Sequence, residues 1–210
     1  MNLAIKMEAA GRVGQDRAAA FELAGGTLVV VADGAGGVTG GAEAAQAVVD
    51  WFRGLEPTGE QDWVHVLRTL DAYLSSGATF GETTAVVVLM TTETIVGASV
   101  GDSGAWMLAS GIWRNLLESQ RRKPLLGTGS AVPTGFGPFP LGERVLLGSD
   151  GLFKYVALER IERIAAMSSL ESAAHAFVEA ARLPSGRLQD DITVVIAGEP
   201  GSLARCRNTE

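Results

Sequence analysis

The chain carries nine aspartates, and five of them sit at the ends of apolar runs. VVVADGAGG places Asp33 at the end of a buried strand, VGASVGDSG does the same with Asp102, and VLLGSDGLF with Asp150. QDDITVVIA puts Asp190 and Asp191 at the start of another. Short carboxylates at strand ends can converge on one point. Without a counter-ion they repel one another there, and burial makes ionising them costly. Divalent cations resolve both problems, and an oxygen-only donor set selects hard ions, Mg²⁺ or Mn²⁺. A lone Asp-Gly is more often a tight turn than a ligand. Here Asp33-Gly34 runs into more glycines and then a helical pattern, and Asp150-Gly151 also precedes a helical pattern, so neither resembles a two-residue hairpin.

Other chemistries have weaker claims. GAGGVTGG (Gly34 to Gly41) fits neither G-x-G-x-x-G nor G-x-x-x-x-G-K-[ST], although glycines before a helix leave a phosphate near Gly36 and Gly37 open. The single Cys206 excludes a disulfide framework and a Cys-based zinc site, and points to a reducing compartment. It lies in the tail, which speaks against a Cys-nucleophile phosphatase mechanism. His65 and His175 fall on helical patterns away from the aspartates and read as surface or structural residues. Arg121, Arg122 and Lys123 form a basic run, either a solvated loop or a contact for acidic or phosphorylated substrate. Thr83, Thr84 and the four tryptophans read as structural.

The elements that must position the aspartates are legible as apolar runs. Leu28 to Ala32, Ala85 to Met90, Thr94 to Val100, Val145 to Leu147 and Ile192 to Ala197 read as strands covered on both faces. Ala42 to Leu55, Asp62 to Leu74, Leu158 to Met167 and Leu170 to Ala181 carry helical spacing, the last with Ser168 or Ser169 as cap. Leu117 to Gly142, rich in Gly and Pro, reads as a loop. Helices and strands do not alternate strictly, which favours a sheet sandwich flanked by helices over a doubly wound parallel sheet. In 210 residues, 47% hydrophobic and 20% charged, there is material for a sizeable core, which excludes a disordered chain. The net charge of −7 disfavours nucleic acid and favours cations as partners. With no bilayer-length apolar run and no signal-peptide pattern in Met1 to Arg17, the expectation is a cytoplasmic protein with no membrane partner.

Taken in order, GRVGQDR (Gly11 to Arg17), VVVADGAGG with Gly40-Gly41-Ala42-Glu43, GETTAVVVLM (Gly81 to Met90), VGDSG, LLGSDGLF and DDITVVIA resemble the metal-dependent protein serine/threonine phosphatases (PPM, or type 2C). The likeness runs from Gly11 to Ala197 and is to the short bacterial type. It implies an α+β fold, a four-layer α-β-β-α sandwich with two central antiparallel sheets, as one domain over 1–198 with a tail over 199–210. It also implies two Mn²⁺ or Mg²⁺ ions. Asp33 would bridge them, the Gly34 carbonyl would hold one, and Asp150 and Asp190 the other. Asp191, where the family usually has Asn, is a second candidate, and Asp16 would act through water. Asp102 would belong to a third ion, and Arg12 would bind substrate phosphate. The implied reaction is hydrolysis of phosphoserine and phosphothreonine in proteins, with a Ser/Thr kinase as counterpart.

Departures from that pattern set the alternatives. Ala35 replaces a His or Met, Gln15 an acidic residue, and Gly104 an Arg; Arg12 stands one residue too close to Asp16. Lys154 replaces an acidic residue and argues against a third ion. The segment Leu116 to Gly142 is shorter than the family's flap. These differences keep open a catalytically weak or inactive regulatory or binding module, and a phosphatase acting on small molecules.

Overall fold

The computed structural model describes residues 1–35, 39–54 and 61–198. Ten strands and five helices follow one another as β1 (Leu3–Glu8), β2 (Asp16–Leu23), β3 (Gly26–Asp33), α1 (Gly41–Arg53), α2 (Trp63–Ser76), β4 (Ala85–Met90), β5 (Thr94–Val100), β6 (Gly104–Ala109), β7 (Ile112–Asn115), β8 (Thr134–Pro140), β9 (Arg144–Gly148), α3 (Asp150–Tyr155), α4 (Leu158–Ala165), α5 (Leu170–Ala181) and β10 (Ile192–Gly198). They form two five-stranded sheets, ordered β1-β10-β9-β6-β7 and β2-β3-β4-β5-β8, with every pair antiparallel. Helices α1 and α2 pack on the second sheet and α3 and α5 on the first, with α4 against α5. The α-β-β-α sandwich is therefore observed.

The apolar runs are continuous because alternate residues feed different cores. In β3, Val29 and Val31 face the layer between the sheets, while Leu28, Val30 and Ala32 face α1 and α2. In β10, Val195 and Ala197 join the middle layer, and Ile192, Val194 and Ile196 pack under α5. Ala45, Val48, Val49 and Phe52 of α1, and Trp63, Val66, Leu67, Leu70 and Leu74 of α2, supply the buried stripes their spacing predicts. Ser169 is the cap of α5, its side chain accepting from Ser172 N.

Five strands were not legible as apolar runs. β1 and β2 are mostly half-buried, and β2 is alanine-rich, so neither reads as β-branched and apolar. β8 corrects the reading of 117–142 as all loop: TGFGPFP is an edge strand on β5, with a register shift between Ile95 and Gly97, and an edge tolerates its prolines. β6 and the short, exposed β7 complete the other edge. Gly36, Gly37, Leu55, Cys206 and residues 199–210 lie outside the described residues.

Candidate active site

Antiparallel pairing brings the aspartates to one end of the sandwich. β3 ends on Asp33, and β2 begins on Asp16, its register partner. β9 ends at Gly148, paired with both Gly104 and Val194, so the connections carrying Asp102, Asp150 and Asp190 emerge side by side from the other sheet. Asp33, Gly34, Asp102, Asp150, Asp190 and Asp191 all line one cleft of about 460 Å³. Two glycines permit this closeness. A Cβ on Gly34 would collide with the Gly41 carbonyl at the start of α1, and one on Gly151 with the Asp191 carbonyl.

Asp33 is held by its backbone. Its N–H donates to Thr84 Oγ1 (3.0 Å), and its carbonyl accepts from Thr84 N (2.8 Å) and Thr83 Oγ1 (3.0 Å). Having accepted from Asp33, Thr84 Oγ1 shares a further 2.7 Å bond with Ser103 Oγ, next to Asp102. The threonines are thus structural, as expected, and what they structure is the site. Asp16 lies behind Asp33, only 7% exposed, and neither of its carboxylate oxygens has a well-formed hydrogen-bond partner. Burial pushes its pKa from 3.8 up to about 6, with the nearby Ser149 and Thr193 hydroxyls opposing the rise. Asp33 is pushed up to about 9, first by desolvation and then by Asp16 and Asp150. Asp190 is also raised, by desolvation and then by Asp150, while Lys154 opposes. This concentration of buried negative charge has too little positive charge beside it.

The cations present are side chains. Lys154, one turn along α3, pairs with Asp150 and stands 3.9 Å from Asp190 Oδ2. The guanidinium of Arg122 lies on Asp102 Oδ2, with Nε at 3.0 Å and Nη2 at 2.6 Å. Both oxygens of Asp191 accept from the backbone, Oδ1 from Ala10 N (2.8 Å) and Oδ2 from Gln15 N (2.6 Å), tying the 10–15 segment to the start of β10. Among the described residues, no three acidic, imidazole or thiol side chains stand around one point as an ion would require. Arg12 is exposed and does not line the cleft. His65 and His175 are exposed on α2 and α5, and neither lines the cleft. Arg122 and Lys123 line the cleft; their basic run was visible in the sequence, but not which side of it faced the aspartates.

The donor set fits a hard divalent cation. It consists of carboxylates and one backbone carbonyl, and the buried, unpartnered Asp16 carboxylate shows charge that the protein does not itself neutralise. Asp150 and Asp190 are available to an ion once Lys154 turns aside, and that side chain is 43% exposed.

The fold is shared with solved phosphatase structures. A bacterial serine phosphatase superposes with a TM-score of 0.79 at 21% identity, covering 95% of this chain and 99% of that one. The serine/threonine phosphatase Stp1 from Staphylococcus aureus gives 0.77 at 21%, with 94% of each chain covered. The Mycobacterium tuberculosis phosphatase PstP/Ppp gives 0.75 at 22%, covering 93% and 97%. A PstP catalytic domain solved with two manganese ions gives 0.74 at 23%, covering 93% and 96%. Among curated proteins none matches significantly. A family model described as stage II sporulation protein E (SpoIIE) matches residues 24–198, from β3 to the end of β10, and the chain belongs to that family.

Proposed function

We propose that the protein is a metal-dependent phosphatase of phosphoserine and phosphothreonine residues in proteins. The observation that carries this reading is the cleft that gathers Asp33, Gly34, Asp150 and Asp190, backed by the buried, unpartnered carboxylate of Asp16, which pairs in register with Asp33 without lining the cleft. Asp33 and the Gly34 carbonyl would hold one divalent cation, and Asp33, Asp150 and Asp190 a second. Bound there, the two ions supply activation of water for in-line attack on phosphorus and offset the charge on the phosphoryl oxygens. The residues of the chain do the positioning: Thr83 and Thr84 fix the Asp33 backbone, Asp16 adds negative charge behind it, and Asp191 holds the 10–15 segment in place. Lys154 beside Asp150 favours two ions over three, because its ammonium stands where a third cation would need acidic ligands. The phosphatase names of the structural neighbours support the substrate class. No described helix is long and apolar enough to cross a membrane.

The test uses p-nitrophenyl phosphate and a phosphothreonine peptide with Mn²⁺, Mg²⁺ or EDTA. Turnover of both that needs a divalent ion and is lost in Asp33→Ala supports the reading. A second reading, a regulatory or binding module, is favoured by one observation: Lys154 engages both Asp150 and Asp190. No turnover of either substrate with any divalent ion would favour it instead. Turnover of the small ester alone would point to a small-molecule phosphatase.

A further inference from the structure

The ions that the carboxylates would hold offset charge at the reacting phosphoryl group, but the carboxylates themselves give the arriving substrate no side-chain cation to bind. A phosphoryl dianion entering this cleft passes aspartates on a molecule of net charge −7, so a side-chain cation at the mouth would draw it in and orient it. Arg12 does not line the cleft, and Lys154 is turned to Asp150 and Asp190. Among the described residues, the cations that line it are Arg122 and Lys123.

We propose that Arg122 is the phosphoryl-binding residue of this cleft, with Lys123 beside it. This rests on the phosphomonoesterase reading above and names a residue that recognises the substrate. Two observations carry it besides the lining. First, the connection bearing Arg122 is anchored on both sides: Gln120 Nε2 donates to Ser103 O (3.1 Å), and Leu126 exchanges backbone hydrogen bonds with Thr83 (3.0 and 3.1 Å). The cation is therefore held against the strand ends that carry Asp102 and Asp33. Second, the contact of Arg122 with Asp102 leaves its binding capacity unfilled. Nε and Nη2 converge on one oxygen, Oδ2, instead of spanning the carboxylate, and Nη1 takes no part. A guanidinium fork matches two oxygens, and a phosphoryl group offers three. The Arg122 side chain is 73% exposed, and an exposed pair of this kind exchanges readily for a better partner. Asp102 holds the guanidinium at the mouth, and the arriving dianion takes it over.

The test measures inorganic phosphate binding to the full-length, Mg²⁺-loaded protein by isothermal titration, beside KM for p-nitrophenyl phosphate and for the phosphothreonine peptide. Arg122→Ala should weaken phosphate about tenfold and raise both KM values comparably, Arg122→Lys should restore part of the loss, and Arg121→Ala should stay within about twofold of the parent. Asp102→Asn, which releases the guanidinium, should leave phosphate binding equal or tighter. The proposal is overturned if Arg122→Ala binds phosphate as the parent does. It is equally overturned if Asp102→Asn weakens binding as much as Arg122→Ala, since the pair would then serve only to hold Asp102. A rise in KM for the peptide alone, with phosphate affinity intact, also overturns it, since Arg122 would then touch the peptide and not the phosphoryl group. A parent protein that binds phosphate through Arg122 but hydrolyses neither ester upholds this assignment and refutes the phosphatase reading, so the two failures are distinguishable.

Discussion

Replacing Asp33 by Asn should stabilise the metal-free protein while removing its response to metal. Asn keeps the shape and an acceptor oxygen but carries no charge. The Asp33 carboxyl has an ordinary pKa of 3.8 and is pushed up to about 9 by burial and by Asp16 and Asp150. Keeping it protonated at pH 7, when the unfolded chain would ionise it, costs at most about 4 kcal/mol. The burden is shared with Asp16 and Asp190, so relief of about 2 kcal/mol is a more realistic figure. In a domain of this size that is a rise in Tm of about 4–8 °C.

The direction with pH follows from the same shift. A raised folded-state pKa means stability that is complete below 3.8 and is lost as pH rises toward the folded value. The metal-free parent should therefore weaken between about pH 4 and 9, and Asp33→Asn should weaken less, so the gap widens with pH. Manganese at a hundredfold excess over its Kd should add about 2.7 kcal/mol to the parent and little to the variant, reversing their order. Thermal melts at pH 5, 7 and 8.5, each in EDTA and in Mn²⁺, measure all of this. A variant less stable than the parent in EDTA, or Mn²⁺ raising both alike, would refute the electrostatic account of the site.

Three further predictions concern the supports of the site. Lys154→Ala should tighten Mn²⁺ binding severalfold by freeing Asp150 and Asp190, and Lys154→Asp should raise the bound Mn²⁺ per chain above that of the parent; titration with metal analysis of the dialysed protein reads both, and unchanged affinity in the first would remove Lys154 from the site. Thr84→Val removes the acceptor for Asp33 N and the bond to Ser103, and should cost about 1–3 kcal/mol by urea unfolding with a fall in kcat larger than any change in KM. Asp71→Ala leaves Gly127, Gly129 and Ala131 without the carboxylate their N–H groups bond at 2.8–3.0 Å, and should cost about 2–4 kcal/mol while speeding proteolysis of the 125–131 segment.

What was legible in the sequence divides along physical lines. Strands buried on both faces write themselves as unbroken β-branched runs, so β3, β4, β5, β9 and β10 could be read directly, and with them the strand-end positions of Asp33, Asp102, Asp150 and Asp190. Half-buried and edge strands carry no such run: β2 centres on three alanines between charged residues, and β8 has prolines that only an edge permits. Pairings between distant side chains leave no local trace at all. Asp71 sits in mid-helix with nothing nearby to mark it, yet it ties down the connection that follows Arg122. Asp191, a second ligand candidate because it stands where the resembled family usually has Asn, lines the cleft and also accepts hydrogen bonds that the sequence does not show. Its use as an acceptor for Ala10 and Gln15 depends on the β1–β10 pairing, which brings the first and last strands together.

The two halves of the site are compensated differently, and this gives metal binding an order. Asp150 and Asp190 come from the first sheet and share Lys154, a cation on the same short helix as Asp150. Asp16 and Asp33 come from the second sheet and are more deeply buried, and among the described residues they have hydroxyls but no side-chain cation beside them. A divalent ion therefore gains more by binding the Asp33 side first, where it displaces a proton held at a cost and no side-chain cation. Once an ion sits there, its field repels the Lys154 ammonium from Asp150, and the long, half-exposed side chain can leave for solvent. Binding of the first ion should thus promote binding of the second, and Lys154→Ala should abolish that cooperativity while leaving two sites. Titration of the parent giving two independent and equal Mn²⁺ sites would show instead that Lys154 does not guard the second.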